Sequence, residues 1–255
     1  MTNNVINKFS LGPIIYEIPG TYTFVWPDIS DGAPVTQVYI TIVGAGGGGG
    51  QSFNDQSYPY VDTSSSGGGG GAGEFYLRYL YTKGIDTTET LVVGLGGNEQ
   101  TFTAGTASVF GVLSATGGNN GGNASAGAAG GGGNATYPPG ASPPQYSGSA
   151  GGHGGDGLGL SVFSTSGDIS DYPALGYNGG TAGSSVGFNV ISGGGGGGAS
   201  CLAVGGNGAN AGSFPTNGTD GTYGSGGGGG AGCAVGTGIG FGGLGGNGYV
   251  KIEFV

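Results

Sequence analysis

Five unbroken glycine runs, at residues 46–50, 67–71, 130–133, 193–198 and 226–230, restrict what this chain can fold into more than any other feature. Glycine has no side chain to bury and more backbone entropy to lose than any other residue, so such runs cannot build an ordinary hydrophobic core. The first run continues directly from Val38-Tyr39-Ile40-Thr41-Ile42-Val43, in which Val38, Ile40 and Ile42 alternate with Tyr39, Thr41 and Val43 as in a β-strand. The last glycines, up to Gly245-Gly246-Asn247, pass into a second strand pattern, Tyr249-Val250-Lys251-Ile252-Glu253-Phe254. The symmetry predicts that the two strands share one β-unit and that the glycine body between them is tethered at both ends.

The 71 glycines among 255 residues far exceed the roughly 7% of ordinary proteins, while only 7% of residues are charged. The cations are Lys8, Arg78, Lys83 and Lys251, and the net charge is −10. Nucleic acid and anionic membrane surfaces require a basic face, so neither is expected as a partner. Acidic disorder is not the better description, because it is poor in aromatics and this chain has 14 Tyr and 11 Phe. Residues 1–8 lack a basic start followed by an apolar run, and no stretch approaches the roughly 18 apolar residues of a spanning helix. Synthesis in the cytoplasm without membrane insertion is therefore the expectation. Cys201 and Cys233, the two cysteines, can pair with each other or remain free thiols; the residues leave both open.

Residues 1–20 read as an N-terminal arm, punctuated by Gly12-Pro13 and Pro19-Gly20 around the short apolar piece Ile14-Ile15-Tyr16. Strand patterns follow at residues 21–26, 38–43, 74–81, 88–93 and 107–113. No apolar pattern with helical spacing lasts three turns, so no α-helix is predicted. Short strands separated by turn residues predict an all-β protein built on a small β-sandwich or jelly-roll-like unit, formed by residues 21–115 and 248–255. Residues 21–255 then make one domain whose body, 116–247, is glycine.

For that body, collagen is excluded by the missing Gly-X-Y period. A flexible linker fits poorly with interspersed apolar pieces such as Leu158-Gly159-Leu160 and Val186-Gly187-Phe188. The favoured reading is a large inserted bundle of polyglycine-II helices. Three residues per turn without side chains let neighbouring backbones approach closely, and hydrogen bonds between helices replace the core. A Cβ placed inside such a bundle would be strongly destabilising.

Catalytic chemistry finds little support in the residues. Gly44-Ala45-Gly46-Gly47-Gly48-Gly49 satisfies a dinucleotide fingerprint, but no helix pattern follows it to receive the pyrophosphate, so no cofactor is expected. His153, the single histidine, lies in Gly-Gly-His-Gly-Gly-Asp, where neither it nor Asp156 has a rigid support, and the pair falls short of a structural zinc set. Asp168 and Asp171 alone make a poor calcium site, and no metal is expected. Tyr58, Tyr60, Tyr137, Tyr146, Tyr172, Tyr177 and Tyr223 instead stand in links between glycine runs. Tyrosine gives wide contact at low entropic cost, so these loops are candidates either for receptor contact or for capping the ends of glycine helices.

The order of these pieces resembles a known family. Tyr22-Thr23-Phe24-Val25-Trp26-Pro27 leads to strand 38–43 and the first glycines. Thr90-Leu91-Val92-Val93-Gly94, Ser108-Val109-Phe110-Gly111 and the closing Gly248-Tyr249-Val250-Lys251-Ile252 follow in turn. Over residues 21–255 this is similar to the glycine-rich domain of bacteriophage tail-fibre and tail-tip adhesins, also met in large-virus structural proteins. The resemblance implies a non-enzymatic virion protein, used in particle structure or receptor binding. It would contact other virion proteins through the N-terminal arm and a host-surface glycan or protein through its loops, with a homo-oligomer, a trimer among them, compatible with that use. The alternatives are a self-assembling extracellular filament or coat protein and, less favoured, an ice-binding protein, whose regular Thr/Ala/Ser face the sequence does not display.

Overall fold

The computed structural model describes residues 12–27, 34–55, 63–98, 100–101, 103–124, 193–212, 214–231 and 238–255. Ten strands follow in chain order: β1 (Ile14–Tyr16), β2 (Gly20–Val25), β3 (Gln37–Val43), β4 (Phe53–Asp55), β5 (Thr63–Ser65), β6 (Phe75–Thr82), β7 (Thr88–Val93), β8 (Ser108–Phe110), β9 (Leu113–Ala115) and β10 (Tyr249–Phe254). Two four-stranded antiparallel sheets form, ordered β1-β10-β3-β6 and β2-β7-β8-β9, with β4 and β5 as a separate pair. No helix occurs among the described residues. The fold is all-β.

The expected union of the two glycine-bordering strands is present. β10 pairs with β3 from Tyr249 opposite Val43 to Phe254 opposite Val38, so the chain leaves the sheet at Gly44 and returns at Gly248 beside it. The arm is partly sheet: Ile14–Tyr16 completes the other edge of β10, with Ile14 opposite Ile252. Period-two alternation fixes which face each residue takes. Val38, Ile40, Ile42, Val250 and Ile252 point inward against Phe24, Leu91, Val93, Phe110 and Leu113 of the second sheet, and all are buried. Phe110 anchors this core, with ring contacts to Phe24 at 5.4 Å and Tyr81 at 5.0 Å. The tight β8–β9 turn is made by Gly111 at φ +56°, a conformation that L side chains rarely adopt.

At the end of the sandwich where β3 runs out, the glycine segments begin, and their hydrogen bonds recur every third residue. From residues 44–52, the N–H groups of Gly44, Gly47 and Gly50 donate to the carbonyls of Glu74, Gly71 and Gly68. Those of Gly46, Gly49 and Ser52 donate to Gly246, Gly243 and Gly240. The carbonyls of Ala45, Gly48 and Gln51 accept from Gly118, Gly121 and Ala124, and those of Gly47 and Gly50 accept from Gly227 and Gly230. Successive residues thus face successive neighbours. Residues 44–50, 66–73, 193–198 and 225–230 are buried throughout. Main-chain pairing satisfies the buried polar groups that a glycine interior otherwise leaves exposed to a large desolvation cost.

Where no neighbouring backbone is available, a side-chain oxygen takes its place. Gly48 and Gln51 donate to Asn120 Oδ1 and Asn123 Oδ1 at 2.8 and 2.9 Å, Phe241 donates to Asn217 Oδ1 at 3.0 Å, and Leu244 donates to Asp220 Oδ1 at 2.7 Å. Asparagine and aspartate therefore recur beside the glycines for a physical reason. Residues 44–52 and 66–74 are hydrogen-bonded to segments within 116–124, 224–230 and 240–248. Residues 125–192, the middle of the expected body, lie outside the described residues.

Candidate functional site

Of the loop tyrosines singled out above, Tyr58, Tyr60, Tyr137, Tyr146, Tyr172 and Tyr177 lie outside the described residues, as do Cys233, His153, Asp156, Asp168 and Asp171. Tyr223 is described. It sits at φ +44° beside Gly224 at φ +80°, in the turn that enters residues 225–230, and its ring meets Tyr249 edge-on at 5.9 Å. Cys201 is a free thiol, buried with Val43 and Phe75 on the outer face of the first sheet, and burial pushes its pKa up to about 12. Among the described residues no group of three or more His, Cys, Asp or Glu gathers to hold a metal ion.

The densest cluster of polar chemistry lies where that outer face meets the glycine body. Thr41, Leu77, Arg78, Leu202, Tyr249, Lys251 and Glu253 line a cleft of about 340 Å³. A β-bulge builds it. The β3–β6 register slips between Ile40 and Ile42, so that Leu77 and Arg78 both bulge opposite Thr41, and Arg78 takes φ +47°. The Arg78 N–H donates to Thr41 Oγ1 at 3.2 Å, which pins the bulge. The guanidinium then lies 4.8 Å from the Tyr39 ring centroid, with Nε 3.8 Å from Glu253 Oε2. Lys251 Nζ reaches the other Glu253 oxygen at 3.1 Å. Two of the chain's four cations thus meet at one carboxylate.

Stability alone does not account for Arg78. A left-handed non-glycine residue costs about 1–2 kcal/mol. The Arg78 side chain is 64% exposed, so its ion pair contributes about 0–1 kcal/mol, and an exposed cation–π contact adds about 0.5–1 kcal/mol. These terms nearly cancel. What remains is the position the bulge gives the guanidinium, at the rim of a cleft. A second cleft, of about 510 Å³ beside Ile15, Tyr16, Glu17, Ile18 and Tyr22, offers one carboxylate and no cation among the described residues.

Tyr249 keeps its proton. Burial raises its pKa, and nearby Glu17, Tyr223 and Glu253 add to the effect. Tyr76 and Tyr81 are raised in the same direction, again first by burial, then by Glu74 and Glu89 respectively. Above about pH 10 the unfolded chain releases these tyrosine protons while the folded chain holds them. The unfolded state then binds fewer protons, so stability present below pH 10 is lost as pH rises through the raised folded values. Cys201, raised in the same way, adds to this loss from the lower value of a free thiol. Melting temperature should therefore be flat from neutrality to about pH 8, begin to fall at about pH 9, and fall more steeply beyond about pH 10 together with the rise of tyrosinate absorbance.

The family model for a glycine-rich domain matches residues 19–255. The chain belongs to the glycine-rich domain family. No curated protein matches it in sequence. The match runs from just before β2 to the end of β10, so every strand of the two sheets except β1, together with the glycine segments, falls within this glycine-rich domain. The cleft was legible only in fragments: Lys251 and Glu253 alternate on one face of the last strand, and Arg78 is the one charge inside an otherwise apolar strand.

Proposed function

We propose that this glycine-rich domain is a non-enzymatic module of a virus particle, a tail-fibre, tail-tip or surface-fibre component that serves particle structure and receptor binding. The observation that carries the reading is the buried glycine interior, held by main-chain hydrogen bonds in several directions. Such an interior needs almost no side chains, which frees the residues at its surface and on the outer sheet face for contact with a partner. It also gives a rigid support, which recognition sites require. The resemblance to phage adhesins in the order of strands and glycine runs points the same way. The N-terminal arm, residues 1–20, is the segment proposed to join other virion proteins, and surface loops and clefts are proposed to meet a host-surface glycan or protein.

Immunogold labelling and mass spectrometry of purified particles from the producing cells test this. The reading expects the chain in the particles, with label on fibres or on the outer surface. A chain absent from particles and recovered in extracellular filaments would replace it with the filament or coat reading.

A further inference from the structure

We propose that the cleft framed by Arg78, Tyr249, Lys251 and Glu253 binds a single acidic sugar residue through its carboxylate. The proposal deepens the recognition role above and rests on that reading for its biological setting only. The charges select the ligand. Among the described residues, Arg78 and Lys251 are balanced by Glu253 and by Glu17, which acts on Tyr249 from the end of β1, and a cleft without surplus positive charge suits a monoanion better than a phosphate of nearly two charges. Arg78 turns Nε toward Glu253 at 3.8 Å, longer than a hydrogen bond, so the five-donor guanidinium is not committed to that carboxylate. A planar guanidinium at the rim is suited to receive a carboxylate bidentately, with Lys251 as a second point charge.

The remaining lining fits the rest of a sugar. Glu253 accepts hydrogen bonds from hydroxyls, and the protonated Tyr249 hydroxyl can donate or accept. Leu77, Leu202 and the Tyr249 ring offer apolar surface to the C–H face of a pyranose. The volume of about 340 Å³ lies at the lower end of the roughly 300–1,000 Å³ of small-molecule sites, which suits one ring.

The test titrates the purified full chain with sodium glucuronate, glucose, sodium acetate and glucose 6-phosphate, following the Arg78 Nε–H and Lys251 amide signals by NMR. Glucuronate should give saturable shifts at both, with glucose, acetate and glucose 6-phosphate each at least about tenfold weaker. Arg78→Gly suits the left-handed conformation, so it should melt like the wild type while losing at least about tenfold in glucuronate affinity. Lys251→Gln should weaken binding as well, by a smaller factor. Absence of saturation by glucuronate overturns the proposal, and so does acetate or glucose 6-phosphate binding as tightly as glucuronate. Wild-type affinity in Arg78→Gly does the same. Because the titration uses the isolated chain, its result is independent of whether the chain is found in particles.

Discussion

Gly49→Ala is expected to destabilise the domain by on the order of 3 kcal/mol or more, lowering its melting temperature by many degrees. The Gly49 N–H donates to Gly243 at 2.8 Å, and a Cβ on Gly49 would be driven into the backbone carbonyl of Gly228. That obstacle cannot rotate away as a side chain would. Gly228 is itself fixed, its N–H donating to Thr219 and its carbonyl accepting from Gly243, so relief of the clash must break neighbouring pairs as well. Gly84 provides the contrast. It is exposed between β6 and β7, and an added Cβ there meets nothing within 4 Å. Gly84→Ala should therefore be neutral or stabilise by up to about 1 kcal/mol, through the reduced freedom of the unfolded chain. Thermal melts of the two variants side by side check both expectations. Equal, small effects would mean that residues 44–52 are not packed against their neighbours.

Ile252→Asp should be comparably severe. Ile252 is fully buried in the middle of β10, opposite Ile40 on one side and Ile14 on the other. An unpaired carboxylate there costs several kcal/mol, or remains neutral with a raised pKa. Against a typical total stability of 5–15 kcal/mol, that is enough to release the last strand or unfold the sandwich. Because β10 holds one end of the glycine segments, its release should also raise amide exchange in residues 240–248, which a charge on a solvent-facing strand position would not do. Lys251→Asp, on the outer face of the same strand, is the control: it should melt within a few degrees of the wild type.

The pairing of β3 with β10 could be read from the sequence, because each strand alternates clearly and each borders glycine. The all-β class followed from the same alternation and from the lack of helical spacing. The arrangement of the glycine segments was less legible. A glycine run carries no side-chain pattern, so nothing in residues 44–52 shows that they lie among residues from 66–74, 116–124, 225–230 and 240–248. That choice is made by hydrogen-bond direction, which emerges only when the sheet fixes where the first run starts. The asparagines were a usable signal in hindsight, since Asn120 and Asn123 stand beside glycine pairs and accept the N–H groups of Gly48 and Gln51. The three residues of β1 were too few to distinguish a docked strand from a free arm.

The candidate cleft was hidden for a related reason. A left-handed residue is usually announced by glycine or asparagine, and the bulge in β6 instead falls on Arg78 within Phe75-Tyr76-Leu77-Arg78-Tyr79-Leu80. Strand alternation alone places Arg78 on the inward face with Tyr76, and the bulge brings it to the outer face beside Tyr39 and Glu253. The tyrosine loops, in contrast, were conspicuous in the sequence; of them, Tyr223 is seen packed on Tyr249 at the entry to a glycine segment.

Main-chain hydrogen bonds between glycine segments do the work of a side-chain core. Native-state hydrogen exchange, resolved at single glycine amides, tests this most directly. Gly46, Gly47, Gly49 and Gly50 donate to four different carbonyls on two neighbouring segments, so all four should exchange only through large-scale unfolding, with protection close to that of Ile40 and Val250 in the sheet. Gly227 and Gly229 should match them, while exposed Gly84 should exchange rapidly. Rapid exchange at Gly46, Gly47, Gly49 and Gly50 while Ile40 and Val250 remain protected would contradict the claim, because the sandwich would then be folded without a hydrogen-bonded glycine core.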